Sequence, residues 1–294
     1  RQLEEAYQYY EDYGIHYVKP GYAGSFMMIN GHKEFHHSQL GVVHYQRVVE
    51  IAAKHHIMLD VHEPIKGTGI ERTFPNFLTR EGARGQEYEG GALYPSHATI
   101  LPFTRLLAGG MDYTSGIFDV TNYTKRMATT LARQVAYYIT IYSGMQMAAD
   151  RPRFYENEFP DLFKFIRDVP VTWEKTVPLI GSIGEFYVVA RQARSRGTGY
   201  GKSDNDSAKF DGGYGKPGDW YIGGVTNEQA RQVRVSLDFL ETGEWTAEIY
   251  RDGDAAHYRD NQLAVVIEKR KVTKTDNLEI WMASGGGFAI RITR

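Results

Sequence analysis

The order of apolar strands and helices constrains the fold of this chain more than any other feature. In its first part, short apolar segments alternate with amphipathic helices, which is the pattern of a parallel sheet wrapped by helices. From about Gly181 onward the helical segments stop, and short strands separated by turn residues follow one another. The sequence therefore predicts an α/β part followed by an antiparallel β part.

Four strands are predicted in the first part, at residues 15–19, 57–61, 109–113 and 145–149. Helices are predicted around them, at residues 1–13, 36–54, 100–108, 125–142 and 160–169. Polar side chains lie at the carboxyl ends of the strands, where a (β/α)₈ barrel carries its active site: Lys19, His62, Glu63, Asp112 and Asp150. Four strands are half of such a barrel, so we predict the second half of a (β/α)₈ TIM barrel, with the first half preceding Arg1. A flavodoxin-like open sheet is the alternative, but a long charged loop after Glu63 suits it less well.

The second part predicts an antiparallel β-sandwich. Its strands are expected at residues 186–190, 220–223, 233–237, 245–250, 263–268, 278–281 and 288–292, several with clear period-2 alternation. Residues 195–218 are rich in Gly, Ser, Asp and Lys and predict a long hairpin loop. The Gly285–Gly287 run lies between strands and predicts a tight turn or bulge rather than a phosphate loop. We divide the chain into a catalytic half-barrel, 1–178, and a C-terminal sandwich domain, 179–294.

Composition excludes several classes of protein. The net charge of −2 gives no reason to expect nucleic acid as a partner, and no apolar run approaches the ~20 residues of a membrane span. The absence of cysteine excludes disulfides, thiolate metal sites and a cysteine nucleophile. The 21 tyrosines suit a carbohydrate surface, because a ring stacks on a sugar face while its hydroxyl bonds the edge, but a tyrosine-rich core and rim explain the number better.

The loop that follows the second predicted strand concentrates charge. It carries Glu63, Glu81, Glu87 and Glu89 together with three arginines, on a connection too long to be a simple linker. A functional site and a solvated acidic loop are both compatible with this pattern.

Several long motifs resemble glycoside hydrolase family 97, a family of bacterial α-glucosidases and α-galactosidases. They are VKPGYAG (18–24), VHEPIKGTGIERTFPNF (61–77), EGARGQEYE (81–89), ILPFTRLLAGGMDYTSGIF (100–118), YSGMQMAAD (142–150), WYIGG (220–224) and ASGGGFAIRI (283–292). The resemblance implies an N-terminal β-sandwich, a (β/α)₈ barrel and a C-terminal β-sandwich, of which this chain would be the second half of the barrel and the last domain. The N-terminal half of the same enzyme is then an expected partner.

The resemblance also implies a mechanism. The retaining branch of the family has an aspartate nucleophile at the end of the strand that here reads Tyr17 to Gly21, where this chain has Gly21 and no carboxylate, as in the inverting branch. Carried over by motif, Glu87 matches the general acid and Glu63 the general base. Lys19 and His62 match residues that contact the sugar, and Glu63 and Glu81 match ligands of a calcium ion (Ca²⁺).

We therefore expect a calcium-dependent, exo-acting α-glycosidase that acts with inversion on maltose-type oligosaccharide substrates. By the same resemblance it is expected in the periplasm or at the outer membrane of a Bacteroidetes-type bacterium. An α-galactosidase of the same family is one alternative, and a non-catalytic carbohydrate-binding fragment is another. Retention of Glu63, Glu81 and Glu87 favours the enzyme, because a binding protein needs no general acid.

Overall fold

A computed structural model of the chain describes residues 2–89, 93–122, 126–194, 216 and 218–294. The chain divides into two compact units, each with its own hydrophobic core. The first comprises Arg1–Gly85, Thr104–Tyr113 and Tyr142–Gln146, and the second comprises Gln86–Phe103, Thr114–Ile141 and Met147–Arg294. The predicted loop at 195–218 lies almost entirely outside the described residues. Every helix that the structure describes is too short or too polar to cross a bilayer.

The first unit is a small parallel sheet with helices. Its elements in order are α1 (Gln2–Asp12), β1 (Tyr17–Val18), β2 (Phe26–Ile29), β3 (His32–Phe35), α2 (Gln39–Lys54), β4 (Met58–Val61) and β5 (Phe77–Arg80), with 3-10 turns at Ile70–Arg72 and Arg105–Ala108. The parallel sheet has the order β1-β4-β5, and β2 and β3 form a separate hairpin. A parallel bridge joins Arg80 to Met111, so four successive segments run in the same direction.

The alternation of side chains along β4 sets the two faces of this sheet. Leu59 and Val61 belong to the apolar core that they share with Val48 and Val49 of α2. Because successive side chains of a strand point to opposite faces, Asp60 lies on the other face, together with the residue that follows the strand, His62. The polar face and the packed face are therefore determined by the pattern of a single short strand.

The second unit is a β-sandwich with helices. It contains α3 (Ser96–Ile100), α4 (Leu131–Thr140), α5 (Pro152–Glu158), α6 (Pro160–Asp168), β6 (Trp173–Ser182), β7 (Phe186–Ala193), β8 (Trp220–Thr226), β9 (Arg231–Ser236), β10 (Trp245–Asp252), β11 (Val265–Val272), β12 (Asn277–Met282) and β13 (Gly287–Thr293). It also has 3-10 turns at Gln86–Tyr88 and Leu101–Phe103. A six-stranded antiparallel sheet, β11-β10-β13-β8-β7-β6, shares one core with the two-stranded sheet β12-β9.

Helices cover the second face of the large sheet. Every residue of α4 is buried, and its Leu131, Val135 and Ile139 pack in a core with Tyr221 of β8 and Ala289 of β13. A Cβ atom at Gly223 would lie 2.8 Å from the Cβ of Ile139, so only glycine allows this close approach of helix to strand.

The antiparallel C-terminal part and the mixed α/β character are confirmed, and all seven predicted strands of the sandwich have counterparts. The Gly285–Gly287 run forms the tight turn between β12 and β13, with Gly285 at φ +62°. The half-barrel stays a prediction, as does the domain boundary at 178/179, which falls within β6.

Several element predictions were wrong. Residues 145–149 form no strand, because their backbone bonds elsewhere: the Tyr138 hydroxyl donates to the Met147 carbonyl, and Ala149 N–H donates to Ser115. Residues 109–113 contribute only the bridge at Met111. The helix predicted at 125–142 is α4, with residue 125 outside the described part, and that at 100–108 is two 3-10 turns after α3. Strands β2, β3, β5 and β6 and helix α5 were not predicted, and α3 overlaps a predicted helix only at Ile100.

Candidate active site

Three strand ends of the first unit bring Lys19, His62 and Asp112 together. Asp112 Oδ2 accepts a hydrogen bond from His62 Nε2 at 2.6 Å and forms a salt bridge with Lys19 Nζ at 3.0 Å. The Asp112 side chain is fully buried, that of His62 is 9% exposed, and that of Lys19 is 31% exposed. The cluster therefore has a buried anion beneath two cationic or polar groups, and the lysine reaches the surface, where a ligand can meet it.

Glu63 follows β4 directly and has an unusual backbone. Its φ is +42°, a conformation that residues other than glycine rarely adopt and that marks functional positions. The Tyr45 hydroxyl donates to the Glu63 carbonyl, and Tyr22 N–H donates to the Glu63 carboxylate at 2.8 Å. These contacts hold the carboxylate in one place on a backbone that is itself strained.

Glu81 follows β5 and lies beside Glu63 and His62. Its Oε2 is 3.4 Å from Glu63 N and 3.6 Å from His62 Nδ1. The Arg105 guanidinium fixes the backbone here by donating to the carbonyls of Glu81 and Arg80 at 3.0 and 2.9 Å. Burial lowers the pKa of Arg105 to about 10, so it is still charged at neutral pH.

Gly21 provides the space that the Glu63 side chain occupies. A Cβ atom at position 21 would lie 2.7 Å from Glu63 Oε2 and 3.0 Å from His62 Cβ. Contacts below 3 Å require the neighbour to move, so any side chain at this position displaces the carboxylate.

Asp60 is a buried acid beneath this cluster, and sequence reasoning missed it. Burial, and then the neighbouring Asp112 carboxylate, raise the pKa of Asp60 to about 9, so it is protonated at neutral pH. Its Oδ2 lies 3.8 Å from His62 Nε2. Its position two residues before His62 on a strand is the sequence signal that could have found it.

The spacing of Asp60, His62 and Asp112 also has the dimensions of a metal site, since one ligand atom from each lies within 4.8 Å of the others. The Lys19 ammonium already neutralises Asp112, and Asp60 is protonated, so this trio has little negative charge to offer a cation. Glu63 and Glu81 are the better candidates for binding a cation. They offer carboxylate oxygens from adjacent strand ends, and carboxylates are the hard ligands that calcium prefers.

Glu87 belongs to the second unit, in the 3-10 turn Gln86–Tyr88, and its side chain is exposed. The turn is anchored on α4, because the Gln86 side-chain amide donates to Gln134 and the Tyr137 hydroxyl donates to Glu89 at 2.7 Å. Glu89 is fully buried and accepts this hydrogen bond beneath the turn. The structure thus brings Lys19, His62, Glu63 and Glu81 together, whereas the pairing of Glu87 with Glu63 stays a prediction.

Comparison with known proteins agrees with the motifs. The family model described as Glycoside hydrolase 97 matches residues 1–83, and the model described as Glycosyl-hydrolase 97 C-terminal, oligomerisation, matches residues 215–293. Among curated proteins, a retaining alpha-galactosidase of Bacteroides thetaiotaomicron is 31% identical over 259 residues, which are 84% of this chain and 35% of that protein.

Solved structures of a glycoside hydrolase family 97 enzyme from Pseudoalteromonas sp. strain K8 are also similar. The complex with acarbose has a TM-score of 0.86 and 42% identity, and a variant in complex with panose has a TM-score of 0.85 and 41% identity. Each covers 99% of this chain, whereas the chain spans 44% of each of them and about a third of the curated relative. Two models of one family, matching at both ends, and likeness over nearly the whole chain lead to one conclusion: the chain belongs to glycoside hydrolase family 97.

Proposed function

We propose that this chain is part of a calcium-dependent, exo-acting α-glycosidase that hydrolyses maltose-type α-glucosides with inversion. Family membership supports glycoside hydrolysis. The enzyme bound to acarbose and panose is 41–42% identical to this chain, whereas the relative named an α-galactosidase is 31% identical. The higher identity favours α-glucosides as substrates.

The observation that carries the mechanism is the close fit of Glu63 against Gly21. By resemblance, a retaining enzyme of the family places its nucleophilic aspartate in this region. Here a Cβ atom at position 21 would lie 2.7 Å from the Glu63 carboxylate and collide with it. The Glu63 side chain therefore occupies the space that a side chain at position 21 would need. A carboxylate anchored at a strand end, with no second carboxylate at position 21, suits a base that activates water.

The proposed roles follow from this arrangement. Glu63 removes a proton from the attacking water, and Glu87 protonates the departing oxygen. The Lys19 ammonium and the His62 imidazole contact hydroxyl groups of the bound sugar. Ca²⁺ would be held by Glu63 and Glu81, with a further ligand that the resemblance assigns to the N-terminal domain. When bound, the ion supplies positive charge that keeps nearby carboxylates ionised.

The barrel and its setting belong to the same proposal. Four successive parallel segments, with their polar side chains at the carboxyl ends, support the second half of a (β/α)₈ barrel. Its partner would be the N-terminal half of the same enzyme, and the resemblance supports a periplasmic or outer-membrane-associated location in a Bacteroidetes-type bacterium.

The stereochemistry of the product tests the proposal directly. ¹H NMR of the whole enzyme acting on an aryl α-glucoside, which releases a single glucose, should show β-glucose as the first-formed anomer before mutarotation. If α-glucose forms first, the enzyme retains the anomeric configuration, and the proposal of inversion is wrong. Parallel assays on aryl α-glucoside and aryl α-galactoside decide between the two substrate classes. If neither substrate is hydrolysed, the alternative of a non-catalytic carbohydrate-binding protein is favoured.

Glu87→Gln tests the general acid. A sugar alkoxide needs a proton as it leaves, so we expect a loss of ~10²–10⁴-fold on maltose, which is the usual contribution of general acid catalysis. On an activated aryl α-glucoside the loss should be much smaller, because a dinitrophenolate leaves without a proton. Glu63→Gln is the contrasting variant and should be impaired on both substrates, since water must attack in either case. Equal losses for Glu87→Gln on both would assign the acid to another residue.

A further inference from the structure

Asp112 connects the two side chains that the proposed function places against the sugar. One oxygen, Oδ2, lies 2.6 Å from His62 Nε2 and 3.0 Å from Lys19 Nζ. The three residues come from three separate segments of the first unit, so no local backbone geometry links them. The carboxylate is the common partner that relates one side chain to the other.

Burial makes this contact strong and directional. Asp112 is fully buried, so water does not compete for Oδ2, and a charge-assisted hydrogen bond in such a place is stronger than one between neutral groups. Because Oδ2 accepts from Nε2, that nitrogen carries a proton, and the ring is oriented with Nδ1 toward Glu81. A lysine side chain has four rotatable bonds, so without an anchor its ammonium samples many positions.

We propose that Asp112 is a positioning residue, whose buried carboxylate holds the Lys19 ammonium and the His62 imidazole in the arrangement that receives the sugar. The proposal rests on the proposed function for the roles of Lys19 and His62 but not for the contacts themselves. It predicts that removing the charge of Asp112 displaces these two side chains.

Asp60 provides a matched control in the same cluster. It is equally buried, but its Oδ2 lies 3.8 Å from His62 Nε2, and its side-chain hydrogen bond is to Asp112 itself. It is protonated at neutral pH because burial and Asp112 raise its pKa to about 9. Asparagine therefore copies the size and charge of Asp60, whereas at position 112 the same replacement removes a charge that two groups share.

The experiment compares Asp112→Asn with Asp60→Asn in the whole enzyme. For Asp112→Asn we expect kcat/KM on maltose to fall on the order of 10–100-fold, the usual effect of removing a group that orients a functional histidine. For Asp60→Asn we expect a smaller loss, because a neutral amide can keep the hydrogen bond to Asp112 while Lys19 and His62 keep their charged partner. In a Lys19→Met background, Asp112→Asn should cost much less than alone, because contacts that act as a unit are not additive. Full additivity of the two losses would overturn the proposal.

Crystal structures of the wild type, Asp112→Asn and Asp60→Asn give a second measurement, the side-chain positions, which does not depend on activity. The Lys19 ammonium and the His62 ring should leave their wild-type positions in Asp112→Asn and keep them in Asp60→Asn. Unmoved side chains in Asp112→Asn would overturn the proposal whatever the kinetics. Displaced side chains in an enzyme that hydrolyses no α-glycoside would uphold the positioning and reject the proposed function.

Discussion

At the scale of single residues, several features of the fold together fix the position of one carboxylate, that of Glu63. A left-handed backbone at a residue other than glycine costs on the order of 1–3 kcal/mol, and the hydrogen bond from the Tyr45 hydroxyl to its carbonyl helps to maintain it. The carboxylate is then fixed by Tyr22 N–H on one side and by the absence of a side chain at Gly21 on the other. Free energy of folding is thus given up to place this carboxylate.

Gly21→Ala tests this placement. The added methyl group would lie 2.7 Å from a carboxylate oxygen at the end of a side chain, so the side chain moves and the backbone stays. We expect kcat on maltose to fall roughly 10²-fold, the usual effect of misplacing a reacting group by about 1 Å. The melting temperature should change by only a few degrees. Gly24→Ala is a control, because a Cβ atom there meets nothing within 4 Å, although its φ of +91° adds some strain. Unchanged kcat in Gly21→Ala would contradict the role given to Glu63.

Chelation tests the metal. If Glu63 and Glu81 hold Ca²⁺, exhaustive treatment with EGTA should abolish turnover, and calcium should restore it better than magnesium, which demands a smaller and more regular shell. Glu81→Gln should raise the calcium concentration needed for half-maximal activity. Undiminished turnover after chelation would remove both residues from the list of ligands.

At the scale of elements, the turn between β12 and β13 is built around the carboxylate of Asp252. Its Oδ2 accepts from Ala283 N and Gly287 N at 2.9 and 2.8 Å, and its Oδ1 accepts from the Thr130 hydroxyl at 2.6 Å. A Cβ atom at Gly286 would lie 1.9 Å from Oδ2, so the glycine run allows the backbone to close on the carboxylate. Thr130 is also the N-cap of α4, and Asp252 therefore ties a strand, a turn and a helix together.

Asp252→Asn should change how stability depends on pH. Burial raises the pKa of Asp252 to about 6 from an ordinary value of 3.8, so its protonation favours the folded state. That contribution is fully present below pH 3.8 and is lost as the pH rises through about 6. Across this window the wild type should lose up to about 3 kcal/mol relative to Asp252→Asn, in which a neutral amide oxygen can accept from both N–H groups while the amide NH2 donates to Thr130 Oγ1. Denaturant unfolding from pH 4 to 8 measures the difference, and a constant difference would contradict the assignment.

The same scale shows what the sequence could predict and why. The sandwich strands were found because their alternation follows from one buried and one exposed face. Strand β5, Phe77–Arg80, was missed because its four residues are all at least half-buried and carry no alternation within a charged loop. The motifs predict one site for Glu63, Glu81 and His62, and these residues lie close together, while their roles stay predictions. Asp60 and Asp112 received no role in the sequence analysis. Their contacts with His62 form only when separate segments of the chain come together in the fold, and the spacing of residues in the sequence does not show which side chains then meet.

At the scale of the whole molecule, the first unit exposes unusual amounts of apolar surface. The exposed side chains include Tyr9, Tyr13, Tyr17, Phe26, Met28, Leu40 and Val43, with Met28 67% exposed. Among the described residues β1 pairs only with β4, and parallel strands are normally buried on both faces. The apolar surface and the unpaired edge both suit a further part of a barrel.

We therefore expect the 294-residue chain expressed alone to be aggregation-prone and to bind a hydrophobic dye such as ANS. Open edges and uncovered apolar faces promote association. Co-expression with the N-terminal half should yield a monodisperse complex that melts cooperatively. A monodisperse, cooperatively melting preparation of residues 1–294 alone would contradict the half-barrel.

The fit of Glu63 against Gly21 also has an evolutionary consequence. A carboxylate at position 21 and one at position 63, in this conformation, compete for the same volume. A lineage that gains an aspartate at position 21 first passes through a protein in which two anions are forced together. A lineage that loses Glu63 first passes through one with no base. If Glu63 is the base, each single step is expected to impair the enzyme, so we expect exchange between the two stereochemical outcomes to need changes at both positions.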